Sequence, residues 1–447
     1  MSSRLFGTDG IRGTANQYPM TAEIAMKFGM AAGHMFTKDE YRHRVLIAKD
    51  TRLSGYLIEP ALTSGFLSVG IDVVLVGPIP TPAVPMLIKA LRADMGVMIS
   101  ASHNPFHDNG LKLFDNTGQK LNDEYENKLQ DLILNSNLDS LLVAPDKLGR
   151  AKRLEDAHGR YIEHVKRSFP KGLSLAGIRI VLDCANGAAY QIAPAILWEL
   201  GADIVKIGCE PDGFNINQHC GSTFPEMLAQ KVIETRADIG IALDGDADRV
   251  VICDEKGKVI SGDYVTAMIA THMKEQGILR GDGVVVTQMS NTGLDKYLEA
   301  NGLKTYRSPI GDRYVSEKMQ EHHCNLGGEQ SGHIILEDFS STGDGMVAAL
   351  QVLACLAKKG KPVSDFARPF NLNPQLLRNI KFKKNNPLDN KNLQKQILSI
   401  QSKYKDARVL VRKSGTEKLI RVMVESANSL TVDNLANEIE NLVASIA

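Results

Sequence analysis

Met95-Gly-Val-Met-Ile99-Ser100-Ala-Ser102-His-Asn-Pro105 is the stretch on which the reading of this chain turns. Met95–Ile99 is a short unbroken apolar run, the pattern of a strand covered on both faces of a parallel sheet. The run gives way to Ser-Ala-Ser and a His-Asn-Pro turn, so a hydroxyl stands where a buried strand meets a loop. Further on, the apolar run Ile239–Leu243 ends in the same manner, in Asp244-Gly-Asp246-Ala-Asp248-Arg249. Ligands of open parallel sheets gather at the carboxyl ends of strands. A serine loop and a three-carboxylate loop at such ends form a natural pair if the group handled is a phosphoryl held by a divalent metal.

Outward from these two loops, apolar runs alternate with helical patterns. Val45–Ala48, Val73–Val76 and Met95–Ile99 read as strands around helices at Ile58–Val69 and Ala83–Leu91. Ile178–Leu182, Ile204–Ile207 and Ile239–Leu243 read as strands around helices at Ala189–Leu200 and Phe224–Thr235. A third stretch places helices at Tyr264–Gln276, Leu294–Ala300 and Gly345–Lys359 about a strand at Gly283–Thr287. Strands alternating with helices of this length build βαβ units and mixed, mostly parallel sheets. Asn371–Gln375 reads as a linker. The tail is a small α+β unit, with strands at Asn379–Phe382, Val409–Val411 and Ile420–Val424 and helices at Leu393–Tyr404 and Val432–Ser445. The expected division is into residues 1–152, 153–255, 256–370 and 371–447.

The bulk composition narrows the partners. The 447 residues carry 52 Lys and Arg against 52 Asp and Glu, so neither nucleic acid nor an anionic membrane is the expected partner. The opening MSSRLFGTDGIRG lacks the apolar core of a signal peptide, and no apolar run approaches the roughly 20 residues of a membrane span. A cytoplasmic location is the expectation. The six cysteines include no CxxC pair, which argues against a zinc ribbon or disulfide framework. His322-His323-Cys324 is a weak metal candidate, because adjacent side chains at a helix end point apart.

Three carboxylates at alternate positions suit a hard cation such as Mg²⁺. An EF-hand is excluded because Arg249 stands where its glycine belongs, and Val250–Ile252 reads as strand. A dehalogenase-type phosphatase would carry Thr or Val at the position of Asp248. If Ser102 carries a phosphate, it adds about −1.5 to −2 to the three aspartates. One divalent ion cannot balance that, so cations must converge; Arg249, Lys112 and Arg12 are the best placed. A hydrolase triad of Ser102 with His103 is disfavoured, since neighbours rarely form a nucleophile–base pair and no G-x-S-x-G elbow exists. Two more loops add chemistry. Gly327-Gly-Glu329-Gln-Ser331-Gly-His333 offers a carboxylate and a hydroxyl to vicinal sugar hydroxyls. Arg412-Lys-Ser414-Gly415-Thr416-Glu417, with Arg421 beyond, offers an anion nest of small residues and two arginines.

In their order, the GTDGIRG opening, SASHNP, DGDADR, GEQSGH and RKSGTE motifs resemble the α-D-phosphohexomutase superfamily over nearly the whole chain, and the first and fourth resemble its glucosamine-phosphate branch. The resemblance implies three α/β domains and a C-terminal domain of the TATA-box-binding-protein-like type around a central cleft. It implies interconversion of glucosamine 6-phosphate and glucosamine 1-phosphate, on the route to UDP-N-acetylglucosamine. Ser102 would cycle as a phosphoserine, with glucosamine 1,6-bisphosphate as intermediate and activator. One Mg²⁺ would sit between Asp244, Asp246, Asp248 and the Ser102 phosphate. Glu329 and Ser331 would hold sugar hydroxyls, and Arg412, Ser414, Gly415, Thr416 and Arg421 the phosphate that is not transferred. Lys112, Arg12 and His333 are candidates for moving protons, and Arg249 for catalysis beside the metal loop. A hinge near Pro369–Gln375 would close the cleft. The partner implied is a small-molecule phosphosugar, and a homodimer is compatible with the resemblance. Two residues depart from the usual motifs: Ala247 replaces a glycine, and Lys418 a proline. Rival readings are a phosphomannomutase/phosphoglucomutase, a metal-dependent sugar-phosphate phosphatase, and a sugar-phosphate binder without catalysis.

Overall fold

Val45–Ala48 and Met95–Ile99 offer water no polar side chain, and the chain buries both runs completely. They form the middle of the first of four sheets in a computed structural model that describes residues 5–7, 9–36, 41–383, 386–404, 406–414 and 418–445. The first module comprises β1 (Ile11–Thr14), α1 (Ala22–Phe36), β2 (Arg44–Lys49), α2 (Gly55–Ser68), β3 (Asp72–Pro78), α3 (Ala83–Leu91), β4 (Met95–Ile99), β5 (Asp108–Asp115), α4 (Asp123–Asn135) and β6 (Ala151–Arg153). Its sheet order is β1-β5-β4-β2-β3-β6. The four strands from β4 to β6 run parallel, and β5 and β1 return antiparallel. Because β5 pairs with β4, Lys112 lies opposite Met98, one turn of chain below the serine loop. Helices α1 and α2 touch through glycine: a Cβ on Gly65 would lie 2.2 Å from the Met26 carbonyl oxygen.

The second module follows with α5 (Ala157–Lys166), β7 (Arg179–Asp183), α6 (Ile192–Glu199), β8 (Asp203–Ile207), α7 (Pro225–Thr235), β9 (Ile239–Leu243), β10 (Val250–Asp254) and β11 (Val259–Ile260), ordered β11-β10-β9-β7-β8. The helix expected from Ala189 begins three residues later. Ala185 and Asn186 take positive φ (55° and 48°), and the chain turns through Gly187–Tyr190 before helical geometry sets in. The third module holds α8 (Gly262–Glu275), β12 (Gly283–Thr287), α9 (Thr292–Ala300), β13 (Lys304–Ser308), α10 (Asp312–Glu321), β14 (Leu326–Gly328), β15 (Ile334–Leu336) and α11 (Gly345–Lys359), with sheet order β13-β12-β14-β15. Helix α11 is apolar on every side because it is buried on every side from Gly345 to Leu356. Its N-cap Asp344 accepts from the N–H groups of Met346 and Val347, both at 3.0 Å. The other oxygen of that carboxylate accepts from Tyr161 of α5 at 2.8 Å, which pins the third module to the second.

The tail is β16 (Gln375–Lys381), α12 (Lys391–Lys403), β17 (Ala407–Lys413), β18 (Leu419–Ser426) and α13 (Ser429–Ala444), with an antiparallel sheet ordered β16-β18-β17. This is the expected fold class: three α/β units with mixed sheets and one α+β unit. One apolar cluster runs through the first three modules, from Leu46 and Val84 through Ile180 and Leu243 to Val284 and Leu353. The fourth has its own core around Leu393, Val422 and Leu435. The supposed linker Asn371–Gln375 is instead a bonded joint. Asn291 of the third module exchanges hydrogen bonds with Asn373, Gln375 donates to the Met289 carbonyl at 2.9 Å, and Phe370 packs between Tyr264 and Tyr297. Polar side chains read as solvated in the sequence are here spent on the neighbouring module. Among the described residues no helix is long and apolar enough to cross a membrane.

Candidate active site

The serine and aspartate loops meet. Ser102 is buried, at 1% relative exposure, and its hydroxyl donates to Asp244 Oδ2 at 2.7 Å across the boundary between the first two modules. The contact to His103 Nδ1 is longer, at 3.3 Å. His103 Nδ1 also takes an N–H of Arg249 at 3.2 Å, and burial, Arg249 and Arg12 together push the His103 imidazole down to about 4. His103 is therefore a neutral neighbour whose Nδ1 is engaged by arginine, and no serine–histidine dyad is built here. Ser102 adopts φ +54°, a left-handed conformation that costs a residue with a Cβ about 1–2 kcal/mol.

In the aspartate loop, one oxygen from each of Asp244, Asp246 and Asp248 lies within 4.8 Å of the other two. Asp246 Oδ2 accepts from Thr81 Oγ1 at 2.6 Å and from Lys112 Nζ at 2.9 Å. Two further oxygens, Asp246 Oδ1 and Asp248 Oδ1, are buried and accept no hydrogen bond, although His333 Nδ1 stands 3.6 Å from the second. Buried carboxylate oxygens left in that state are costly. Burial, Asp248 and Asp246 push the Asp244 carboxyl well above the usual range. Asp248 behaves oppositely: burial opposes its charge, but Lys112, His333 and Arg249 hold it well below the usual range. A cluster of hard oxygens with two unspent acceptors and one carboxyl resisting ionisation fits a metal ion. His322-His323-Cys324 forms no such group; among the described residues only the three aspartates do.

Ala247, between the last two aspartates, takes φ +57° and is buried, so the feared backbone strain is present. Its cost of about 1–2 kcal/mol is nearly offset by a buried methyl worth about 0.8 kcal/mol and by about 0.5–1 kcal/mol of chain entropy that glycine would lose. Ala247→Gly is accordingly expected to change unfolding free energy by less than about 0.5 kcal/mol; urea unfolding checks this, and a gain above 1 kcal/mol would show alanine to be an uncompensated defect.

The cations expected around the loop are there. Lys112 is buried and reaches Asp246 at 2.9 Å, Asp9 at 3.3 Å and Asp248 at 3.4 Å. Despite burial, these carboxylates hold its ammonium well above the ordinary lysine range. Arg12 pairs with Asp9. The Arg249 backbone N–H donates to Asp244 Oδ1 at 3.2 Å. His333 contributes Nδ1 at 3.6 Å from Asp248 and Nε2 at 3.6 Å from Asp312, and Nε2 accepts the Gly343 N–H at 3.0 Å. Lys120 bridges Asp9 and Asp312, each at 2.5 Å. Asp9, Asp246, Asp248 and Asp312 thus face Arg12, Lys112, Lys120 and Arg249, four charges against four, with Asp244 the carboxyl that resists ionisation.

The other two loops close on the same cleft. The Glu329-to-His333 turn is held to β10 by the Val250 N–H donating to the Gly332 carbonyl at 3.1 Å. Gly332 has φ +87°, and a Cβ there would lie 2.0 Å from the Val250 carbonyl oxygen, so only glycine fits. Ser331 donates to Glu329 Oε2 at 3.2 Å, and Glu329 Oε1 accepts the Gly311 N–H at 3.2 Å. The Glu329 charge acts on Arg249 and on Arg412 alike, so the turn lies between the metal loop and the fourth module. In that module Arg412 of β17 is directly opposite Arg421 of β18. Burial and the neighbouring charge of Arg421 push the Arg412 guanidinium down. Ser414 is buried beside them. Gly415 and Thr416 lie outside the described residues, as does Glu417 of the same motif.

Sequence reasoning missed Thr81, Asp9, Lys120, Asp312, Arg52 and Asn217. Arg52 had a findable signal, because Asp50-Thr-Arg52 follows β2 as the serine loop follows β4. Asp312 and Lys120 had none; topology alone joins them.

A buried serine against three carboxylates, faced by a sugar-type turn and a paired-arginine strand on a four-module frame, defines the class of mutases that transfer a phosphoryl group on a sugar. Models of the phosphoglucomutase/phosphomannomutase family match the chain throughout: alpha/beta/alpha domain I over residues 3–139, domain II over 159–257, domain III over 261–371 and the C-terminal domain over 377–442. The chain belongs to that family and is an isomerase of the mutase type. It is 58% identical over 99% of its length to a phosphoglucosamine mutase of Parvibaculum lavamentivorans, of which it covers 99%. Among solved structures, a phosphoglucomutase/phosphomannomutase family protein from Burkholderia thailandensis superposes with a TM-score of 0.83 at 23% identity, covering 100% of this chain and 98% of that one. The N-acetylphosphoglucosamine mutase of Aspergillus fumigatus, solved in complex with GlcNAc-6P and magnesium, gives a TM-score of 0.67 at 20% identity over 99% of this chain and 96% of its own.

Proposed function

We propose that this chain interconverts glucosamine 6-phosphate and glucosamine 1-phosphate through a phosphorylated Ser102 and a glucosamine 1,6-bisphosphate intermediate. The observation that carries the reading is the 2.7 Å contact of the Ser102 hydroxyl with Asp244, beside two buried carboxylate oxygens without hydrogen bonds. The 58% identity to a phosphoglucosamine mutase supports the sugar. Glu329 and Ser331 orient the sugar, and Arg412, Ser414, Gly415, Thr416 and Arg421 grip the phosphate that stays. The phosphoryl group leaves Ser102 for the free sugar hydroxyl: the P–Oγ bond breaks, the new P–O bond forms, the sugar hydroxyl gives up its proton and Ser102 Oγ gains one. The bisphosphate turns over, and its other phosphoryl group returns to Ser102 by the reverse steps.

Asp244, Asp246 and Asp248 with the Ser102 phosphate would hold one Mg²⁺, which supplies positive charge against the phosphoryl oxygens when bound. The rest is positioning and fixed charge, the main resources of phosphoryl transfer. Lys112, Arg12 and His333 are the candidates for moving protons; the aspartates hold Lys112 and Arg12 charged, which makes both weak acids and suits them better to balancing phosphoryl charge. Arg249 places its positive charge between Ser102 and Asp248. Paired assays with glucosamine 6-phosphate and with mannose and glucose phosphates test the sugar, and intact-mass measurement with site mapping tests the phosphoserine. Faster turnover of mannose or glucose phosphate would overturn the sugar assignment. Release of inorganic phosphate at the rate of isomerisation would replace the mutase by a phosphatase.

A further inference from the structure

Arg52 is buried to 1% exposure, and no step above uses it. Its guanidinium is fully occupied by the serine loop. Nη2 donates to the Ser102 carbonyl at 2.9 Å and to the Asn104 carbonyl at 2.8 Å. Nη1 donates to the Asp108 carbonyl at 3.0 Å and also to the Pro105 carbonyl. Nε donates to Asp50 Oδ2 at 2.8 Å. That same oxygen accepts from Ser100 Oγ at 2.7 Å, and Ser100 Oγ accepts the Ser102 N–H at 2.9 Å. Both polar groups of the Ser102 backbone therefore end on Arg52, its carbonyl directly and its N–H through Ser100 and Asp50.

The second module completes the clamp. Asn217 Nδ2 donates to the Ser102 carbonyl at 2.9 Å and to the Asn104 carbonyl at 3.0 Å, the two oxygens Arg52 Nη2 already holds. Ser102 needs such a clamp, because φ +54° lies in the left-handed region that a residue with a Cβ disfavours. A planar fork with five N–H donors can gather four carbonyls at fixed angles, which a lysine ammonium cannot. All three guanidinium nitrogens donate to the serine loop or to Asp50, and the side chain is buried, so its role is to hold that loop and not to bind substrate.

We propose that Arg52 and Asn217 are positioning residues that hold Ser102 in its left-handed conformation and thereby aim its Oγ at the sugar hydroxyl. They act on transfer and leave sugar binding alone, since the phosphosugar is gripped by the third and fourth modules. The kinetic part of this inference rests on the mutase reading; the conformational part does not.

Arg52→Lys keeps the charge and removes the fork. A displacement of about 1 Å at a reacting centre costs about 100-fold, so kcat should fall about 100-fold with KM for glucosamine 6-phosphate within about threefold. Asn217→Gly keeps a backbone suited to the positive φ of 57° and removes the whole side chain with its amide donor; it covers the case in which Arg52→Lys does not fold. Its kcat should fall about tenfold, one bridging donor being lost at about 1.4 kcal/mol. A kcat within threefold of the parent, or a KM rising in step with the fall in kcat, overturns the proposal. Amide hydrogen exchange over residues 100–108 reads the clamp without any substrate: at least tenfold faster exchange in either variant is expected, and unchanged exchange overturns the proposal. A parent protein inactive on every hexose phosphate would instead sink the mutase reading, and the exchange result would still decide the clamp.

Discussion

Ser102→Ala is expected to lower kcat by at least about 10⁴-fold, because removing a covalent carrier leaves no alternative path for the group. The fold should survive. The lost hydroxyl donates one hydrogen bond, to Asp244, a carboxyl already pushed towards its neutral form by burial and by Asp248 and Asp246. With the hydroxyl gone, Asp244 keeps the Arg249 N–H on its other oxygen, and the unfolding free energy should shift by no more than about 1.5 kcal/mol, the value of one hydrogen bond. Stopped assays with purified variant and parent, beside urea unfolding of both, measure the two quantities. Residual turnover above one per cent of the parent would mean that Ser102 does not carry the phosphoryl group. Unfolding of the variant would mean that the serine is structural.

The double change Arg412→Gln and Arg421→Gln is expected to act in opposite directions on binding and on stability. Each arginine can give a phosphate charge-assisted bonds worth about 1.5–3 kcal/mol, so losing both should weaken phosphosugar binding by about 10²–10⁴-fold. Yet the two guanidinium groups face each other across β17 and β18, and like charges directly opposed on a sheet are destabilising. Glutamine keeps most of the stem and removes the repulsion. The ligand-free variant should unfold at a free energy equal to the parent's or up to about 1 kcal/mol higher. Titration calorimetry with the phosphosugar, and with Mg²⁺ as a control the change should leave untouched, separates the effects. Equal losses for sugar and metal would show that the arginines act on the cleft as a whole.

How much of this was legible in the sequence depended on where each signal came from. Strands buried on both faces announce themselves, and β4, β9 and β12 lie where their apolar runs put them. Helix α11 reads equally well because it is apolar all round. Helix α1 was missed because Gly29 and Gly33 look like breakers; their lack of a side chain serves close contact with α2 and the residues after it. Strand β5 was missed because Asp108-Asn-Gly opens like a turn, and α10 because only Val315 and Met319 of its ten residues are buried. At the site, Ser102, the three aspartates, Lys112 and Arg12 were found from strand ends and charge balance. Glu329, Arg412 and Arg421 were found from the chemistry of their loops, and the resemblance supplied their roles. Asp9 lies inside the GTDGIRG motif, with Arg12, Lys112 and Lys120 of its own module as partners. Lys120 and Asp312 are ordinary charged residues in the sequence, since nothing local marks a residue whose partner is supplied by another module.

That last group has a consequence for anyone who would recombine relatives of this chain. Lys120 comes from the first module and Asp312 from the third, while Lys112 answers to aspartates of the second. Alone, the first module would leave Arg12, Lys112 and Lys120 to share Asp9, and the second and third would lose the lysines that face Asp246, Asp248 and Asp312, so a foreign module would have to bring the matching sign at the matching place. A crossover between relatives is therefore a question of ionic bookkeeping across seams before it is one of loop length. Chimeras that swap the fourth module, which keeps a separate apolar core, should be tolerated far more often than those that split the first three.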